Sequence, residues 1–327
     1  MKNKVINTIK KYNLIQQGDS IVLGVSGGPD SISMLNILNE IKEEYKFDIY
    51  VAHINHMIRE EANDDEKYVQ QYCEENNIAF FVKKIDVLEI AKKEKIGTEE
   101  AGRNIRYEFF EEVLQKVGAN KIAIAHNKND KIETIIMNLL RGSGLSGLKG
   151  IEPIRDNKYI RPLIECERQE IERYCEQQNL DPRIDKTNFE NDYTRNKIRN
   201  IVIPYIKEEF NPNIIETLDR LAQVATDESD YIEYQTRKIY EKLLIEKTQE
   251  QIILKLKEFN EQEKVIKSRI ILLTVKELMG AAQRIEKIHI EDIIKLCKNN
   301  VGNKFLTPNK NIKFLVKDKR LYVRKNI

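Results

Sequence analysis

Short runs of β-branched and aliphatic residues alternate with amphipathic stretches through the first half of the chain. The runs SIVLGV (20–25), DIYVAHI (48–54), AFFVKKI (79–85) and KIAIAH (121–126) are rich in residues that suit a buried parallel strand. Between them, stretches near 30–44, 62–76, 98–117 and 130–140 read as helices. The pattern predicts an α/β fold with a doubly wound parallel sheet, and ligands in such sheets bind outside the carboxyl ends of the strands. From about residue 165 the strand signal fades into a polar region rich in Arg, Asn and Asp. Pro204 and Pro212 then precede a long helical pattern over 213–246. A boundary near 210 therefore separates residues 1–210 from a smaller, mainly helical domain at 211–327. Within the latter, QIILKLK reads as a strand, 260–279 and 289–298 as helices, and NIKFLVKD with RLYVRK as a closing hairpin.

The 327 residues are 41% hydrophobic and carry only 13 Gly and 7 Pro, which suits a packed core and excludes low complexity. No apolar run has the length of a membrane span, and residues 1–20 lack a signal-peptide core, so a cytoplasmic protein is expected. Cys73, Cys166, Cys175 and Cys297 form no C-x-x-C pair, which argues against a zinc ribbon or a redox centre. The net charge of +2 is unevenly spread: residues 1–240 sum to −7 and residues 241–327 to +9. Lys313, Lys317, Lys319 and Arg320 lie in the basic tail, which is either a solvated surface or a phosphate-binding patch.

The strongest chemical signal is Ser26-Gly27-Gly28-Pro29-Asp30-Ser31, directly between a strand and a helix. Paired glycines allow close backbone approach, and Pro29 suits the first helical position. The free N–H groups and the helix dipole then favour an anion. The Ser26 and Ser31 hydroxyls can add hydrogen bonds, and Asp30 is placed to hold a divalent metal beside phosphate oxygens. The Walker spacing and its lysine are absent. A second cluster, His126-Asn127-Lys128-Asn129-Asp130-Lys131-Ile132-Glu133-Thr134, precedes Leu139-Leu140-Arg141-Gly142-Ser143-Gly144. On a helix, Asp130 and Glu133 share one face, with His126 at the strand end before them. Such a set can bind Mg²⁺, position a cationic amine or accept a proton; it can also simply cap a helix.

The loop SGGPDS resembles the pyrophosphate-binding loop of the PP-loop ATP pyrophosphatases, which activate a substrate by adenylation. The second cluster is similar to the His, Asp-x-x-Glu-Thr and Leu-Leu-Arg-Gly-Ser-Gly signatures of the tRNA(Ile)-lysidine synthase family. Asn127 stands where many members have a second His. Further matching stretches are Val51 to His56, Glu100 to Tyr107, Arg161-Pro162-Leu163, Asp185 with Asn188, and Tyr193 to Arg199. The resemblance is specific from about residue 18 to 220 and weaker beyond, and longer members carry a further C-terminal domain.

The resemblance implies a Rossmann-like ATP-binding catalytic domain followed by a tRNA-recognition domain. It implies a ligase that uses ATP and Mg²⁺ to adenylate C2 of the wobble cytidine in the CAU-anticodon isoleucine tRNA. Free L-lysine then displaces AMP to give lysidine. Ser26, Gly27, Gly28, Pro29, Asp30, Ser31, His53 and Arg103 would bind ATP, with Asp30 on Mg²⁺. Asp30, His126, Asp130 and Glu133 would line the reaction centre, and Arg195 and Arg199 would contact phosphate or tRNA, as would the basic tail. A homodimer is compatible with this reading. The rivals are a tRNA cytidine thiolase of the same superfamily, whose C-x-x-C cluster ligands are missing here, and a non-catalytic nucleotide- or RNA-binding module.

Overall fold

A computed structural model of the chain describes all residues except 58–61, 184–192, 281–284, 300–303 and 327. Its contacts divide the chain into two units, Met1–Ala225 and Thr226–Ile327. The first unit opens with α1 (Lys2–Lys11), β1 (Ser20–Gly24), α2 (Pro29–Tyr45), β2 (Asp48–Asn55), α3 (Ala62–Glu75) and β3 (Ala79–Lys84). It continues through α4 (Val87–Glu94), α5 (Thr98–Val117), β4 (Lys121–Ile124), α6 (Lys128–Leu140), α7 (Leu145–Leu148), β5 (Ile154–Arg155) and β6 (Tyr159–Ile160). Then come α8 (Arg168–Gln177), α9 (Thr194–Lys197), a π-helical turn (Ile198–Val202), α10 (Ile203–Glu209) and α11 (Ile214–Leu243), within which the division falls.

The strands form a sheet in the order β3-β2-β1-β4-β6-β5, parallel except for β5. Alternation along β1 explains why it is apolar throughout. Ile21 and Leu23 join a core with Val5, Ile9, Leu35, Leu38 and Ile171, whereas Val22 joins Phe109, Phe110, Val113 and Ile122 of a second core. The helix α1, with Val5, Thr8 and Ile9 buried, completes the first of these layers. A third cluster packs Ile132, Ile135 and Ile136 of α6 against Ile198, Ile203, Ile215 and Ala222.

In the second unit, β7 (Leu244–Lys247), β8 (Gln251–Lys255), β9 (Lys304–Asn309), β10 (Ile312–Lys317) and β11 (Arg320–Lys325) form an antiparallel sheet ordered β7-β8-β11-β10-β9. The hairpin read from the sequence is its β10–β11 pair, closed by Asp318 and Lys319, whose φ values of 52° and 59° suit a tight two-residue turn. Ile252, Leu254, Ile312, Phe314, Leu321 and Val323 share a core with α12 (Leu256–Asn260), α13 (Lys264–Met279) and α14 (Lys287–Asn299).

Gly24 ends β1 where α5 crosses the sheet, and a Cβ there would overlap the Phe110 ring. Gly24→Ala should therefore cost about 1–3 kcal/mol by overpacking. Urea unfolding would show this as a lower midpoint, and Phe110→Leu in the same chain should restore part of it.

Candidate active site

The loop after β1 turns through Gly27, whose φ of +92° is costly for any side chain. Gly28 then precedes α2 as its N-cap, with Pro29 at the first helical position. No side chain among the described residues caps α2, which leaves N–H groups of its first turn for an anion. The two serines hold the loop's shape. Ser31 Oγ donates to the Gly28 carbonyl at 3.0 Å and accepts the Ser26 N–H at 3.1 Å, while the two hydroxyls lie 3.2 Å apart. Beneath the loop, buried His53 on β2 donates from Nδ1 to the Val25 carbonyl at 2.8 Å. Burial lowers its pKa, so the ring supports the loop backbone as a neutral group.

Next to this loop, Asn127 is fully buried and joins three parts of the site. Its Oδ1 accepts the Asp130 N–H at 3.0 Å, and its own N–H donates to Asp130 Oδ2 at 3.1 Å, which closes a capping box on α6. Its Nδ2 donates to Asp30 Oδ1 at 3.0 Å. Loop and α6 are thereby tied end to end. Burial, and then the nearby Asp130 charge, push the Asp30 carboxyl up to about 6.

Asp130 and Glu133 meet two arginines. Glu133, 1% exposed, accepts Arg195 Nε at 2.8 Å and Arg199 Nε at 2.6 Å. Asp130 Oδ1 accepts Arg199 Nη2 at 3.0 Å and Arg195 Nη2 at 3.3 Å. Carboxylates three apart on α6 thus face guanidiniums four apart on α9 and the π-helical turn, each pair on one helical face. On its other side α6 is held by Lys128 to Glu216 and Lys131 to Asp219, both at 2.7 Å. His126, at the end of β4, accepts Arg161 Nε on its Nδ1 at 3.1 Å.

Residues 1–206 match the PP-loop domain family. A tRNA(Ile)-lysidine synthase from Clostridium acetobutylicum is 49% identical over 310 residues, 94% of this chain and 67% of that protein. Another from Clostridioides difficile is 47% identical over 311 residues, 95% and 67% of the two chains. The chain belongs to the tRNA(Ile)-lysidine synthase family. It spans about two thirds of the length of these two relatives. Among solved structures, a U34-tRNA thiolase from Methanococcus maripaludis with its 4Fe–4S cluster is similar in fold. Its TM-score is 0.57 at 20% identity, over 69% of this chain and 78% of that one.

With the lysidine synthase family in view, the structure brings together the loop, Asp30, Asp130, Glu133, Arg195 and Arg199 through direct hydrogen bonds or ion pairs. Arg195 and Arg199, expected on phosphate or tRNA, have carboxylate partners, so their charge is already engaged. Arg103 is exposed on α5 and lies 5.1 Å from the centre of the Tyr107 ring. Asp185 and Asn188 lie outside the described residues. Lys317, Lys319 and Arg320 are exposed around the β10–β11 turn of the second unit, and Lys313 Nζ sits 3.9 Å from the Phe305 ring centre.

Two contributors have partners that the sequence did not give. Asn127 stood out only as the residue replacing a second His, and Arg161 only as one of a matching stretch whose arginines suit phosphate or tRNA. The signal for Arg161 was its setting: a lone cation between Ile160 and Leu163 in an apolar run must find a partner inside.

Arg199→Met would leave the buried Glu133 with one guanidinium, and should cost about 2–4 kcal/mol in urea unfolding. Adding Glu133→Gln should recover part of that loss, because the uncompensated charge disappears.

Proposed function

We propose that this chain is an ATP-dependent ligase that forms lysidine at the wobble cytidine of the CAU-anticodon isoleucine tRNA, changing its reading from Met to Ile. The observation that carries this is the Asn127 bridge, because it makes the anion-binding loop and the Asp130–Glu133 cluster one hydrogen-bonded centre. A reaction with a nucleotide step and an amine step needs both chemistries at one place.

In the first step the cytidine O2 attacks the α-phosphorus of ATP and pyrophosphate leaves. The N–H groups at the start of α2, with Ser26 nearby, are placed to receive the phosphates. In the second, the lysine ε-nitrogen attacks C2, loses a proton, and AMP departs carrying the former O2. Adenylation has by then turned a poor leaving oxygen into a good one. Asp130 is joined to Asp30 of the loop through Asn127, and the guanidinium partners of Asp130 and Glu133 fix where these carboxylates point. They are placed to orient the incoming amine.

Asp30 fits a Mg²⁺ ion. Asn127 occupies one of its oxygens, the other has no partner among the described residues, and burial with the Asp130 charge makes a cation welcome there. Bound there with phosphate oxygens and water, the ion would neutralise charge on the polyphosphate. The basic, aromatic outer face of the β10–β11 pair, with Lys313, Lys317, Arg320, Tyr322 and Arg324, is suited to the tRNA backbone. A cytoplasmic setting accords with these substrates.

Asp30→Ala should keep tRNA binding within about twofold while lowering tRNA-dependent pyrophosphate release about 10²-fold or more. Filter binding and a pyrophosphate assay check the two arms. An Asp30→Ala protein that turns over normally would contradict the assignment.

A further inference from the structure

His53 and His126 stand at the ends of the two strands that flank β1, and their hydrogen bonds demand opposite tautomers. A carbonyl only accepts, so His53 carries its proton on Nδ1. A guanidinium only donates and stays protonated, so the Nδ1 of His126, 3.1 Å from Arg161 Nε, must present a lone pair. We propose that Arg161 is a positioning residue that fixes His126 as the Nε2–H tautomer, so that His126 donates a hydrogen bond to an anionic oxygen in the reaction centre and takes no proton.

Arg161 is well fixed for this. It is 4% exposed, its Nη1 donates to the Glu152 carbonyl at 2.5 Å, and its N–H donates to the Pro153 carbonyl at 2.9 Å. An imidazolium would turn a second N–H against the guanidinium. The surroundings oppose protonation as well: burial first, then the charges of Arg161, Arg195, Arg103 and Arg106, hold the His126 pKa well below its ordinary value. The Nε2 of His126 has no hydrogen bond to any described residue. A neutral imidazole N–H among cations is suited to an oxygen that gains negative charge, such as one on the phosphoryl group or the departing AMP. This role rests on the ligase reading, whereas the tautomer does not.

The test is a long-range proton–nitrogen spectrum of the full chain labelled with ¹⁵N-histidine, with the His126 signals assigned by their loss in His126→Gln. The expected pattern is an unprotonated Nδ1 and a protonated Nε2, unchanged between about pH 5.5 and 8. His53 serves as the internal contrast, with its proton on Nδ1. Arg161→Lys, which keeps a cationic donor, should preserve the pattern, and Arg161→Met should release His126 into a mixture of tautomers. In tRNA-dependent pyrophosphate release, His126→Ala should lose about 10²-fold. His126→Gln, which can donate near the Nε2 position and cannot act as a base, should stay within about tenfold of the parent. An Nδ1–H tautomer or a protonation event in that pH range overturns the proposal, as does a Gln variant no better than Ala. The spectrum needs no turnover, so an intact tautomer in a protein that makes no lysidine counts against the ligase reading and leaves the role of Arg161 in place.

Discussion

The buried carboxylate of Glu133 is the constraint around which the first unit's functional half is arranged. An ionised carboxylate taken out of water is tolerable only with charge and hydrogen bonds supplied by its surroundings. Here they come from Arg195 and Arg199, more than sixty positions later in the chain. Satisfying Glu133 therefore fixes α9 and the π-helical turn against α6, alongside the apolar packing of Ile132 and Ile136 on Ile198 and Ile203. The π-helical turn begins at Ile198 and contains Arg199, and such turns are a common accommodation where a helix must aim side chains at a functional site.

From this anchor the geometry propagates inward by hydrogen bonds. Asp130 shares the guanidiniums with Glu133 and also closes the cap that Asn127 makes on α6. Asn127 in turn reaches Asp30 on the loop. A short amide suits this junction because it donates and accepts at once without adding charge. Behind the loop, His53 braces its backbone, and across β1 His126 is gripped by Arg161. Three guanidiniums and three carboxylates are thus held in defined orientations before any substrate arrives, which is the condition for electrostatic preorganisation.

Much of this frame was legible in the sequence. Strands β1, β2 and β4 announced themselves because burial from both faces leaves little room for polar residues, the edge strand β3 through its Phe80-Phe81-Val82 run, and the loop because Gly, Pro and Asp have positional meaning at a strand-to-helix turn. The spacing of Asp130 and Glu133 marked a shared face. What could not be read were features decided by distant partners. Strands β5 and β6 have two residues each and exist through pairing, β6 with β4 and both with each other. Strand β7, LIEK, follows a long helical pattern and is set by its ladder with β8. Residue type suggested phosphate for Arg195 and Arg199, yet only tertiary packing reveals that both face carboxylates. For Arg161 the apolar setting of Ile160 and Leu163 was the available sign, but its partner could not be read, since His126 lies 35 positions away.

The most direct measurement supplies the purified protein with ATP, Mg²⁺, radiolabelled lysine and a CAU-anticodon isoleucine tRNA transcript, with a methionine CAU transcript as control. The account predicts label in the isoleucine tRNA alone, dependent on ATP. Label in neither transcript, from a folded protein that still releases pyrophosphate in response to the isoleucine tRNA, would contradict lysine as the nucleophile.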